Sequence, residues 1–280
     1  MRKTEGQELF RTGSRLPEEH LWGPRDYYKA GFYRDSPALF VSETGYHGCP
    51  SPASLAKMLD ESALWPYTNE QWTLHSSDYS DNDGRIQMMA KHVQQLFGAI
   101  PDNLEDFSLA SQISQAEAFK YFIERMRVAL PKRGGILWWN LLDGWPQISD
   151  AVVDYYFDKK LAFYYIKTSQ QPFCLMMDEL ERWGSTLVAA NDTREPVTCT
   201  YDVRDAATGE PLLSGTATLA PLETARIAKC NLFYSDKKFL LLHWQIDGKD
   251  YYNHYLSAFP PISLPAYRSF LQTYRPLQAE

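Results

Sequence analysis

The chain changes its periodicity at one place, and that change limits the folds open to it. Up to Gln170-Gln171-Pro172, short apolar runs are separated by long helical patterns. Beyond it, apolar and polar residues alternate in short runs at 173–178, 185–190, 197–204, 211–219, 223–230, 238–247 and 250–257, with Gly, Asn, Asp or Pro in most of the gaps. A period of 3.6 residues belongs to helices with one buried face, and a period of two to half-buried strands. The two parts are therefore different classes of structure. Seven short strands over about 85 residues predict an immunoglobulin-like β-sandwich.

The first part reads as βα structure. Residues 38–43 (ALFVSE) follow Pro37 as a buried strand that ends in a carboxylate. Ser51-Pro52 opens a helix running to about Glu61, with Ser as cap and Pro at the first helical position. A loop over 62–83 carries Trp65, Trp72 and His75, and loops of that length are usually functional or mobile. Helices are predicted over 84–97, stopped by Gly98 and Pro101, and from about Asn103 to Leu130, where Ile113, Ala116, Phe119, Ile123 and Met126 recur at helical spacing. After the turn Lys132-Arg133-Gly134-Gly135, residues 136–140 (ILWWN) form a second buried strand. The loop LLDGWPQISDA, an extended VVDYYF and a helix from Lys159 to Ser169 complete this part. Two confident strands cannot close a (β/α)₈ barrel, which needs eight βα units in about 250 residues.

Composition excludes several functions. The net charge is −7 and no Lys/Arg block is long enough to grip phosphates, so nucleic acid is not an expected partner. No run of 18 apolar residues exists, so no membrane-spanning helix is expected. The four cysteines lack CxxC spacing and the six histidines lack HxxxH spacing, so neither metal nor cofactor is predicted. Asp78, Asp81 and Asp83 precede Gly84, but the calcium-loop register fails, since it puts Tyr79 and Ala90 at the outer ligand positions. The 8 Trp and 18 Tyr suit either a sugar-binding cleft or a large core.

Two segments carry chemistry. In Phe40-Val41-Ser42-Glu43-Thr44-Gly45 a carboxylate ends a buried strand, where barrel enzymes keep their reacting groups, and such a carboxylate can attack an anomeric carbon. On the strand end alone, a Glu that caps a turn or pairs with an Arg is the commoner reading. In Leu137-Trp138-Trp139-Asn140-Leu141-Leu142-Asp143-Gly144-Trp145-Pro146 the two strand Trp side chains point to opposite faces. One can floor a sugar site while the other packs in the core. Asn140 and Asp143 could hold hydroxyls, or Asp143 could cap the turn.

Together these segments resemble glycoside hydrolase family 2, in its β-mannosidase and exo-β-glucosaminidase branches. FVSETGYHGCPS (40–51) is similar to the nucleophile strand, 136–146 to the last barrel strand, VDYYFDKKLAFYYIKTSQQP (153–172) to the closing helix, and His20-Leu21-Trp22-Gly23-Pro24 to the segment preceding the nucleophile. Asn253-His254-Tyr255-Leu256 followed by Pro260-Pro261 also resembles the family's C-terminus. The resemblance implies an α/β plus all-β chain: 1–171 the C-terminal portion of a TIM barrel, 172–259 an immunoglobulin-like sandwich, and 260–280 a tail with a short helix around 266–273.

It also implies roles. Glu43 matches the nucleophile, and Trp139 the Trp lining the sugar subsite, often followed in relatives by a non-proline cis peptide. Asp143 and Trp145 match rim-loop residues, Trp72 and His75 a W-x-x-H element, and Trp22 an aromatic near the leaving group. Leu142 stands where the mannosidase pattern has Asn, which bears on mannoside specificity. Retaining hydrolysis needs a second carboxylate about 5–5.5 Å away, which the family places on an Asn-Glu pair upstream. Glu5, Glu8, Glu18 and Glu19 do not follow an Asn, and Asn69-Glu70 lies downstream in a predicted loop. The expectation is thus a retaining exo-β-glycosidase fragment without its acid/base, inactive alone, whose partners are a β-mannoside or related β-glycoside and a missing N-terminal half. The alternative is a non-catalytic carbohydrate-binding or scaffold protein of the same descent.

Overall fold

The computed structural model describes residues 17–77, 84–180 and 184–274. Glu5 and Glu8, and the acidic turn of Asp78, Asp81 and Asp83, lie outside the described residues. The chain mixes helices with parallel and antiparallel sheets, and divides into two compact units.

The first unit comprises residues 1–122 and 132–163. Its sheet has the order β1-β2-β3, with β1 Glu18–His20, β2 Phe40–Thr44 and β3 Gly135–Trp138, all parallel. Parallel neighbours require crossovers. Helix α1 (Gly31–Arg34) lies between β1 and β2 in sequence. Helices α2 (Pro52–Leu55), α3 (Glu70–Leu74), α4 (Arg85–Phe97) and α5 (Leu104–Arg127) lie between β2 and β3, and α6 (Leu161–Ser169) follows β3. Strand β1 has no signature in the sequence: Glu18-Glu19-His20 is polar, and only pairing with Phe40, Val41 and Glu43 makes it a strand.

Three other elements depart from the sequence reading. Helix α2 ends at Leu55 rather than near Glu61, although Ser51 caps it as expected by accepting from the Ser54 N–H at 3.2 Å. The expected loop over 62–83 contains α3, whose cap is Asn69: its Oδ1 accepts from the N–H groups of Gln71 at 3.0 Å and Trp72 at 3.4 Å. Asn69-Glu70 is therefore a helix start and not part of a loop, with Asn a favoured cap residue. Strand β3 stops at Trp138, two residues earlier than expected.

The segment that follows β2, residues 45–50, is buried throughout. Buried backbone groups need partners, and α5 supplies them with small polar side chains. Ser111 Oγ accepts from Cys49 N at 3.0 Å, Ser108 Oγ donates to Pro50 O at 2.8 Å, and Gln115 Nε2 donates to the Tyr46 and Asp150 carbonyls, each at 2.9 Å. Lys160, also buried, donates from Nζ to Gly48 O at 2.7 Å.

The second unit comprises residues 123–131 and 164–280. Strands β4 (Phe173–Met177), β5 (Ser185–Asn191), β6 (Val197–Asp205), β7 (Pro211–Leu219), β8 (Glu223–Cys230), β9 (Lys238–Ile246) and β10 (Lys249–Ser257) follow the seven alternating runs closely. They form two antiparallel sheets, ordered β10-β9-β6-β7 and β4-β5-β8. Leu175, Leu187 and Val188 from one sheet share a single core with Val203, Leu242 and Trp244 from the other. All four cysteines are free and buried. Helix α7 (Leu264–Thr273) is capped by Ser263, which accepts from Ala266 N at 3.2 Å. Its Tyr267 hydroxyl meets that of Tyr165 at 2.8 Å.

Candidate active site

Strand β2 delivers Glu43 to its C-terminal end, with the side chain 31 % exposed. Among the described residues two side chains touch its carboxylate. Trp22 Nε1 donates to Oε1 at 2.5 Å, and His20 Nδ1 lies 3.9 Å from the same oxygen. The backbone fixes this approach, because Leu21 N donates to Glu43 O at 2.7 Å and Thr44 Oγ1 donates to Leu21 O at 3.0 Å. The other ring nitrogen of His20 lies 3.7 Å from Glu18, so this exposed ring stands between two carboxylates. The sequence reading gave His20 no role of its own. Its position opposite Glu43 became visible only through the β1–β2 register.

Trp139 reaches the same place from β3. Its N–H donates to Thr44 O at 2.7 Å, its side chain is 51 % exposed, and the Trp139–Asn140 peptide bond is cis. Gly45 shows how tightly the pieces meet: a Cβ there would stand 2.6 Å from the Trp22 ring and 2.9 Å from the Trp139 carbonyl. Trp138 takes the other direction and packs edge-on against Phe119, with centroids 6.0 Å apart.

The remaining candidate residues are distributed differently. His75 Nδ1 donates to Pro146 O at 2.7 Å, and its ring stacks on the exposed Trp145 at 6.0 Å. Trp72, in contrast, is fully buried; it donates to Ala63 O at 3.1 Å and packs against Tyr67 and Phe107. Asn140 donates from Nδ2 to Leu142 O at 3.4 Å, while its Oδ1 is without a partner among the described residues. Asp143 is buried and accepts from Ser149 Oγ at 2.6 Å and Gln147 Nε2 at 2.7 Å. Burial pushes its carboxyl above the usual range, opposed by Lys160 and these hydrogen bonds. Burial likewise lowers the Lys160 ammonium, opposed chiefly by Asp143.

Behind Trp22 lies a charged chain. The Arg25 guanidinium sits 4.2 Å over the Trp22 ring, and Arg25 Nη1 is 3.8 Å from Asp150 Oδ1. Asp150 also binds His47 Nδ1 at 2.9 Å, and His47 Nε2 meets Ser77 Oγ at 3.1 Å. Burial raises the Asp150 carboxyl, but His47 and Arg25 outweigh it and hold the group below the usual range. A cation over an indole face binds through the ring quadrupole, so this chain fixes the plane of the ring that carries the Glu43 donor.

No family profile matches the chain. It is similar to β-mannosidase B of Thermothelomyces thermophilus, with 26 % identity over 213 residues, covering 65 % of this chain and 24 % of that protein. Among solved structures it is similar to the β-D-mannosidase of Dictyoglomus thermophilum, with 20 % identity and a TM-score of 0.75 over 88 % of this chain and 31 % of that one. It also resembles the exo-chitosanase of Amycolatopsis orientalis, with 21 % identity and a TM-score of 0.65 over 88 % of this chain and 30 % of that one. The chain spans about a quarter of the curated relative and about a third of each solved structure. In sequence and fold the chain is thus similar to part of proteins named as glycosidases. The likeness is to proteins named β-mannosidase and exo-β-D-glucosaminidase.

Proposed function

We propose that the chain carries the nucleophile of a retaining exo-β-glycosidase acting on terminal β-mannosides or a related β-linked sugar. Glu43 Oε2 attacks the anomeric carbon while Trp22 holds Oε1, the aglycone oxygen departs with a proton, and an α-linked glycosyl ester forms on Glu43. Water then cleaves the ester and restores the carboxylate. Trp139 floors the sugar, since an exposed aromatic face binds the apolar C–H face of a pyranose, and Asn140 and Trp145 border it. In this reading residues 1–171 are the last part of a (β/α)₈ barrel, 172–259 an immunoglobulin-like sandwich and 260–280 its tail. One observation supports it above the others: a partly exposed carboxylate at the C-terminal end of a parallel strand, oriented by an indole N–H and flanked by an exposed Trp.

The proton donor is assigned outside this chain, because the related pattern puts it directly after an Asn and the Asn-Glu pair present, Asn69-Glu70, starts helix α3. Little or no turnover is therefore expected from the chain alone on aryl β-mannoside, β-glucosaminide and β-galactoside. A 2-deoxy-2-fluoro-β-mannosyl fluoride needs little acid assistance, and it should label Glu43 in a mass spectrum. Labelling at another residue, or robust unaided turnover, contradicts the assignment. A reading as a non-catalytic sugar binder is favoured if sugar binds and no label forms.

A further inference from the structure

A cavity opens on the first unit. Its volume is about 590 Å³, and its lining includes Lys57, the candidate residue Asp143, Tyr155, Tyr156 and Phe157. It shares no lining residue with Trp22, Glu43 or Trp139. That volume lies within the roughly 300–1,000 Å³ common to small-molecule clefts.

Two features of its wall are unfavourable without a ligand. Phe157 is 75 % exposed and Tyr155 42 %, so apolar rings face water. Phe157 also holds φ at +65°, a left-handed conformation in which a Cβ is disfavoured and glycine is the ordinary occupant. The turn enforces that conformation. Asp154 Oδ1 accepts from Tyr156 N at 2.9 Å and Asp158 N at 3.0 Å, while Phe157 N donates to Asp154 O at 3.0 Å. A turn built this way around glycine would spare both costs. Strained positions and exposed aromatics gather at binding sites.

The other wall is ordered too. Tyr156 donates its hydroxyl to Lys57 O at 3.1 Å, its ring meets Tyr155 edge-on at 5.4 Å, and Lys57 Nζ lies 4.9 Å over it. Flat apolar faces beside one ammonium and the buried Asp143 carboxylate suit a ligand with C–H faces and hydroxyls. We propose that this cavity is an accessory binding site for a neutral hexopyranosyl unit, separate from the Glu43 site. The ligand class rests on the glycosidase reading; the existence of a site rests on the cavity alone.

The test is a titration of methyl β-D-mannopyranoside, followed by saturation-transfer NMR, on the chain bearing Trp139→Ala, which weakens the Glu43 subsite. Binding should persist there and fall at least tenfold when Phe157→Gly is added. Glycine accepts the left-handed backbone, so that variant keeps the turn and its thermal midpoint should not drop. Tyr155→Ala should weaken binding in the same direction. Absence of binding to the Trp139→Ala chain, or equal binding with Phe157→Gly added, overturns the proposal. Fluoro-sugar labelling of Glu43 in parallel separates the two ideas: labelling without cavity binding sinks only the accessory site, and cavity binding without labelling sinks only the nucleophile.

Discussion

Glu43 shares one carboxylate oxygen with the Trp22 N–H and leaves the other without a described partner, so the group is oriented but available. Trp22→Phe keeps the ring and removes the donor. Labelling of Glu43 should then slow by about 10- to 100-fold, because a reacting atom displaced by even an ångström loses rate on that order. The thermal midpoint should stay within a degree or two of the parent, since little packing changes. An unchanged labelling rate would show that the indole N–H does not position Glu43.

His92 makes a second residue-scale case. Its Nε2 donates to Arg25 O at 2.7 Å, its ring stacks on Tyr46 at 4.1 Å, and burial lowers its pKa to about 4 from an ordinary 6.5. Below pH 6.5 the unfolded chain takes up a proton that the folded chain refuses until about pH 4. Stability is therefore present in full above that window and lost as pH falls through it, by up to roughly 3 kcal/mol. Thermal melts from pH 7.5 down to 4.5 should fall less steeply for His92→Gln than for the parent. Parallel slopes would exclude His92 as the titrating group.

At the scale of elements, α5 is a support for the segment that follows Glu43. Its polar residues Ser108, Ser111 and Gln115 interrupt an otherwise apolar face, and the sequence gives them no evident purpose. The buried carbonyls and N–H of residues 45–50 supply it. Gln115→Leu leaves the Tyr46 and Asp150 carbonyls without this donor and should cost at least about 2 kcal/mol in urea unfolding, the usual penalty for orphaned buried groups. A loss under 0.5 kcal/mol, the range of ordinary surface substitutions, would mean the loop holds itself. Helix α3 shows the opposite case. Its segment reads as loop, because a five-residue helix with one buried Trp is too short for periodicity to reveal.

For the whole molecule, the three parallel strands leave Leu137 at 58 %, Trp139 at 51 % and Leu141 at 55 % exposure along one segment. Exposed apolar strand surface seeks a partner. Sedimentation of the pure chain should therefore show association that rises with concentration, and a strictly monomeric profile throughout would contradict this. Among the described residues no helix is long and apolar enough to cross a membrane.

Local pattern alone determined much of this protein. The seven alternating runs became strands almost residue for residue, the helices over 85–97 and 104–127 lie where their periodicity put them, and the carboxylate at the end of a buried strand was visible as a motif. These follow from nearest neighbours along the chain: side-chain period, caps and glycine stops. What only the tertiary structure decided are relations between distant residues. Polar β1 is a strand because β2 pairs with it, and His20 approaches Glu43 for the same reason. Trp72 is buried and Trp139 exposed although both are Trp in candidate motifs, because burial depends on what packs across the fold. Arg25 lies over Trp22 through Asp150, which is 125 residues further along the chain, and no periodicity spans that distance.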